Sequence, residues 1–280
     1  MTMELSQEGV ESLLKGITIP PRPTLLIEVD RELKRPEPDL KRIAGLIAKD
    51  VGVSGAMLKT LNSPFFGLRT KIGSVPQAVM MLGARNAGNV VTGLVLRNAM
   101  GGGAASLERF WDSSAIVASI NAYICSILPK APREDAYTFG LFHDCGIPVL
   151  MQRFGDYRDT LKYAAGDERS MIDIEDERHG TNHAMVGHMI ARSWGLSDII
   201  SQAILLHHDP EIFVDQAESV HPLSRTLVAI NFLAEHLNDT ALRLRADYQW
   251  ERHGAVILDY LGLTESEYAE LREDVSTLSA

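Results

Sequence analysis

The 280-residue chain is short of several things, and each shortage closes off a class of protein. It has two cysteines, Cys125 and Cys145, and neither lies in a CxxC pair. A disulfide framework is therefore not expected, and a reducing cytoplasm is the expected setting. No window approaches the ~18 uncharged apolar residues of a membrane span. The first ten residues, MTMELSQEGV, have neither the basic nor the apolar region of a signal peptide. A soluble cytoplasmic protein without a membrane partner is the expectation. Positive charge is short as well: 27 Lys and Arg face 37 Asp and Glu, for a net charge of -10. Binding a phosphate backbone draws on clustered Lys and Arg that release counterions. The densest basic stretch, Arg31 to Arg42, is interrupted by Glu32, Glu37 and Asp39. It reads as a solvated surface, and no nucleic-acid partner is expected. Alternating β-branched runs flanked by hairpin turns are also missing, which leaves helix as the dominant element.

What is present is helical periodicity and enough apolar residues, 45%, for one large core or two smaller ones. Over 24–34, Leu25, Leu26, Val29 and Leu33 form one stripe, ended by RPEP at 35–38. Over 39–49, Leu40, Ile43 and Ile47 repeat it, with Asp39 at the helix start, where negative charge favours the dipole. A third helix is predicted over 53–62, stopped by Asn62-Ser63-Pro64, and one or two more over 75–100. The clearest break is GGGAAS at 101–106, because three glycines make helical backbone entropy costly. Beyond it a long helix is predicted over 107–128, then helices near 134–144, 147–164, 181–194, 197–208, 222–237, 251–260 and 264–274. The expectation is an all-α protein in two helical halves, 1–103 and 104–280.

Histidine placement is uneven, since all nine lie after residue 142. His143-Asp144, inside LFHDCGIPVL, offers an imidazole nitrogen and a carboxylate, both ligands for Zn, Fe or Mn. Helical neighbours point about 100° apart, so they share an ion only where it sits between their directions. An HD dipeptide alone is a weak signal, and a core histidine bonded to a backbone carbonyl is the plainer alternative. The stretch HAMVGHMIARSWGLSDIISQAILLHHDP (183–210) reads as two helices joined at Trp194-Gly195-Leu196, with Gly195 as a C-cap and Ser197 as an N-cap. His207-His208 ends the second helix, where an imidazole interacts well with the C-terminal dipole. His179 and His188 read as surface or cap residues. His183, His207 and His208 stay open between structural and ligating roles.

WGLSDIISQAILLHHDP, preceded by HAMVG, resembles the HDOD domain, a bacterial signalling relative of the HD and HD-GYP phosphohydrolases. IPPRPTLLIEVDREL and DLKRIAGLIAKDVGVSGAMLKTLNSPFFGLRTKIGSVPQAVMMLG agree with it, and LNSPFFG (61–67) is the most specific piece. There Pro64 stops a helix, Phe65 and Phe66 read as packing, and Gly67 allows a positive-φ turn. The resemblance runs from about residue 18 to about 237. It implies an N-terminal helical bundle packed on an HD-like half, and regulation in signal transduction through protein partners. It also leaves room for a small ligand in a degenerate pocket.

The resemblance further implies which parts of the enzyme are missing. Ser113, in FWDSS, stands where catalytic relatives carry a first ligand histidine, and Arg109 stands where HD-GYP enzymes carry a glutamate. Ile147 replaces a phosphate-binding lysine, Asn231 replaces a late aspartate, and no GYP loop is recognisable near 178–184. His143, Asp144, His183, His207 and His208 survive. They imply a partial site for one divalent ion (Fe, Mn, Zn or Ni) or a buried cluster in which Asp144 fixes a histidine tautomer. No catalytic residue and no other cofactor is expected. The losses at 113, 147 and 231 weigh against hydrolysis more than against metal binding. The expected function is a non-catalytic signalling and interaction module. The alternative is a metal-dependent phosphohydrolase acting on a nucleotide or cyclic dinucleotide.

Overall fold

The computed structural model describes residues 17–66, 68, 70–99, 105–164, 167, 169–214, 219–242 and 248–278, and among these there is no strand. The all-α expectation holds. Helices α1 (Thr24–Leu33), α2 (Leu40–Ala48) and α3 (Val51–Leu61) open the fold. Asp39 caps α2 by accepting from the Lys41 and Arg42 N–H groups, and Asp50 caps α3 by accepting from Val53. The stripes face inward as their spacing predicts, burying Leu26, Val29, Ile43, Ile47, Val53, Met57 and Leu61. After α3 the chain makes a 3-10 turn at Pro64–Phe66. The Phe65 ring meets Tyr123 edge-on at 6.3 Å and the Phe66 ring meets Tyr137 at 5.6 Å, so this turn packs on the second half of the chain.

Helix α4 (Val75–Ala99) bends at Gly83, whose φ of 76° and ψ of 172° break the helical path. That bend separates the two predicted segments, and it needs glycine because other residues rarely take this φ. Among the described residues α4 alone has the length and composition of a membrane-crossing helix, yet half of its apolar window is buried. It packs against α1, α2 and α3, and against α6 in the second half, which is the position of a core helix. The predicted glycine hinge at 101–103, and with it the boundary between 103 and 104, lies outside the described residues.

The second half runs through α5 (Ala105–Ile127), α6 (Arg133–Phe142), α7 (Gly146–Arg153), α8 (Tyr157–Ala164), α9 (Met171–His179), α10 (His183–Trp194) and α11 (Asp198–Leu206). It closes with α12 (Glu211–Val214), α13 (Pro222–Leu237), a π-helical turn at Asn238–Leu242, α14 (Tyr248–Leu261) and α15 (Glu265–Leu278). Gly195 and Ser197 cap the α10–α11 corner as predicted, Gly195 with φ 76° and Ser197 accepting from the Ile200 N–H. Two departures matter for the site. The helix predicted to 144 ends at Phe142, so His143 and Asp144 sit on a tight connection between α6 and α7. Helix α9 is an addition to the predicted set. One apolar core links residues from α1 through α15.

Candidate metal centre

Helix ends supply the histidines. At the end of α6, His143 Nδ1 donates to the Gly140 carbonyl at 2.6 Å. At the end of α11, His207 Nδ1 donates to the Ile204 carbonyl at 2.7 Å. Each ring curls back onto one of its own helix's last carbonyls, which lack intrahelical partners. His183 is the first residue of α10, behind the N-cap Asn182. Its Nδ1 donates to Glu175 Oε2 at 2.7 Å, and its backbone N–H donates to the same oxygen at 2.9 Å. Glu175 comes from α9, is fully buried, and accepts from the Tyr157 hydroxyl through its other oxygen. The tautomers are thus set from behind by two carbonyls and Glu175, where the sequence reading assigns that role to Asp144.

With each Nδ1–H committed, the Nε2 edges converge. His183 Nε2 lies 3.3 Å from Asp144 Oδ1, His207 Nε2 lies 3.5 Å from the same oxygen, and His143 Nε2 lies 3.3 Å from Oδ2. His183 Nε2 is also 3.2 Å from His207 Nε2 and 3.1 Å from His208 Nε2. All five predicted residues therefore meet in one place. Glycine makes the approach possible, because a Cβ at Gly146 would overlap the His183 carbonyl where α7 meets α10.

Bare nitrogen lone pairs this close repel unless a cation lies among them. In the metal-free protein that cation is a proton. Burial pushes the His183 imidazolium down, but Glu175 and Asp144 outweigh it and lift its pKa to about 10. Burial likewise opposes charge on His143, and Asp144 and Glu235 hold it well above the ordinary histidine value. Burial and the neighbouring imidazoles push His208 well below that value. His207 is lowered by burial, with the charges of His183 and His143 adding to the lowering and the Asp144 carboxylate opposing it. Burial disfavours the Asp144 carboxylate, yet the His143 charge and the bonds from His143 and His183 hold its pKa well below the usual range. A divalent ion fits the same donors. The ligand atoms of Asp144, His183, His207 and His208 lie within 4.8 Å of one another. Zn–N bonds of about 2.0–2.1 Å place tetrahedral nitrogens roughly 3.3 Å apart, close to the spacing found.

A second group, His143, Asp144 and Glu235, meets the same criterion and shares Asp144. Glu235 is absent from the sequence-derived set. It stands one turn after Asn231 on α13, with Oε1 3.2 Å from His143 Nε2. Asn231 donates to Glu235 Oε2 at 3.1 Å and accepts from Asn121 at 2.8 Å. The amide that replaces a carboxylate thus tethers another one, and the i, i+4 spacing was its only signal. Glu175 carried no signal of its own. Ser113 lines a cavity of about 170 Å³ with His143, Asp144, Glu235, Asn238 and Asp239. Arg109, which stands where HD-GYP enzymes carry a glutamate, is exposed and is not part of that lining. Ile147 is buried in the core. His179 bonds Thr160 at 2.9 Å, and His188 donates to the Ser201 carbonyl at 2.7 Å; neither joins the cluster.

The chain belongs to the HDOD domain family, whose pattern matches residues 19–210. An uncharacterized protein of Treponema pallidum (strain Nichols) is 24% identical over 226 residues, which is 79% of this chain and 43% of that protein. The uncharacterized protein YuxH of Bacillus subtilis (strain 168) is 41% identical over 56 residues, 20% of this chain and 14% of that one. The chain therefore spans less than half the length of these curated relatives. Among solved structures, an HDOD domain protein of unknown function from Geobacter sulfurreducens aligns with a TM-score of 0.66 at 22% identity, covering 96% of each chain. A candidate phosphohydrolase from Shewanella amazonensis SB2B aligns at 0.69 and 20% identity, covering 96% of this chain and 98% of that one. A candidate signal transduction protein from Marinobacter aquaeolei VT8 aligns at 0.66 and 18%, covering 100% and 68%. At these identities the likeness to solved structures is one of fold.

Proposed function

We propose that the chain is a non-catalytic HDOD signalling and interaction module whose HD centre holds a divalent ion as a structural element. Asp144, His183, His207 and His208 would hold it, and the mixed nitrogen and oxygen set suits Zn, Fe, Mn or Ni. A bound ion supplies Lewis acidity to whatever reaches it. Glu175 orients His183, and Asn231 holds Glu235 against His143.

The observation that carries the reading is the character of the open side. The cavity beside His143 and Asp144 is lined by three carboxylates, Asp144, Glu235 and Asp239, and by no Lys or Arg among the described residues. Phosphoryl transfer draws on positive charge around the developing oxyanions, and an acidic wall opposes it. At about 170 Å³ the cavity also falls below the ~300 Å³ where small-molecule sites begin. Four large apolar side chains exposed on the N-terminal helices, Ile27, Val51, Met80 and Met81, support contacts with protein partners. The alternative, a metal-dependent phosphohydrolase, draws support from the His143–Asp144–Glu235 group, which offers a place for a second ion beside the first.

One assay separates them. Purified protein supplied with Mn, Fe, Ni or Mg is expected to leave bis(p-nitrophenyl) phosphate and cyclic dinucleotides intact. Turnover that disappears in Asp144→Ala would overturn the non-catalytic reading.

A further inference from the structure

A cavity of about 780 Å³ lies apart from the HD centre, a volume typical of sites for small organic molecules. It opens between α3, the Pro64–Phe66 turn and α4 on one side and α5 and α6 on the other. Phe65, Leu94 and Leu141 give it an apolar wall. Tyr137 and Thr60 share a hydrogen bond of 3.3 Å along its lining. One charged group in the lining is not matched from within the protein: Lys59 is exposed and enters none of the ion pairs among the described residues. Arg97, the other cation of the lining, is matched by Asp112 at 2.7 Å, a pair that ties α4 to α5.

We propose that this cavity binds a small amphipathic organic anion. Its apolar body packs on Phe65, Leu94 and Leu141, and its acidic group faces Lys59. The site stands whether or not the HD centre turns over a substrate. Helix α6 carries Tyr137 and Leu141 in the cavity and presents His143 at its end, so an occupant bears on the helix that builds the metal centre.

The test uses 8-anilinonaphthalene-1-sulfonate as the anionic probe and N-phenyl-1-naphthylamine as its uncharged counterpart. Fluorescence titration of the full chain is expected to show saturable sulfonate binding at one equivalent. Lys59→Ala, at an exposed position, is expected to weaken the sulfonate about fivefold and leave the uncharged probe unchanged. Ala115→Phe, which fills the cavity from α5, is expected to remove saturable binding of both, with near-UV circular dichroism confirming the native fold. Sulfonate binding that neither variant weakens overturns the assignment. So does failure of the wild-type protein to bind the sulfonate saturably.

Discussion

Glu175 is the side chain on which the orientation of His183 depends. It is fully buried and accepts from three donors: the Tyr157 hydroxyl, the His183 backbone N–H and His183 Nδ1. An ionised acceptor is matched to all three, whereas an amide in its place turns an NH₂ group toward a donor. Glu175→Gln is therefore expected to cost roughly 1.5–3 kcal/mol, the range for bonds to charged groups. Outer-shell partners of this kind also carry about 10–100-fold in metal affinity. Urea melts in chelator read the first effect and zinc titration reads the second. Unchanged melts and unchanged affinity together would show that His183 is held by packing alone.

At the scale of the element, most of the fold was legible because the stripes of α1, α2 and α3 and the caps at Asp39, Gly195 and Ser197 are local chemistry. Helix α9 was not legible. Its MIDIEDERH is mostly polar, and what holds it is the Ser170 cap, the left-handed Gly180 and the burial of Glu175 against α8 and α10. The end of α6 was misplaced for a similar reason. The chain leaves the helix at Phe142 to let α7 meet α10, a contact that no local pattern encodes. The five clustered residues followed from the family resemblance, while Glu175 and Glu235 became visible only once helices were packed. Gly146 tests that packing. Gly146→Ala pushes a Cβ onto the His183 carbonyl, which is backbone and cannot rotate away. A loss of roughly 2–4 kcal/mol is expected, with weaker zinc binding, because Asp144 and His183 are moved apart. Gly155→Ala meets nothing within 4 Å and is the control, expected to stay within about 0.5 kcal/mol of wild type. Full zinc affinity in a destabilised Gly146→Ala protein would mean that this approach does not set the site.

Across the whole molecule, the HD centre joins the ends of α6 and α11, the start of α10 and the face of α13, and it would hold a cation at their meeting point. In the metal-free protein the cation is a proton. His183 in the folded chain titrates at about 10, above its ordinary value near 6.5, and His143 is raised as well. A raised folded value contributes stability that is fully present below about pH 6.5 and is lost as pH rises through about 10. A divalent ion has the opposite sign, because His183, one of its ligands, must give up its proton before the ion binds. Its contribution grows over the same window and fades on acidification. Melts from about pH 7.5 to 10 are therefore expected to diverge, since His207 and His208, whose lowered values carry the opposite sign, are already largely neutral in the folded and unfolded chain there. The chelated protein loses stability as pH rises, the zinc-loaded protein holds or gains, and the gap between them is smallest at the acid end. Surface groups titrate alike in both series, so the difference isolates the centre. Parallel curves would mean that proton and metal do not compete for His183, and the cluster would then not be a cation site.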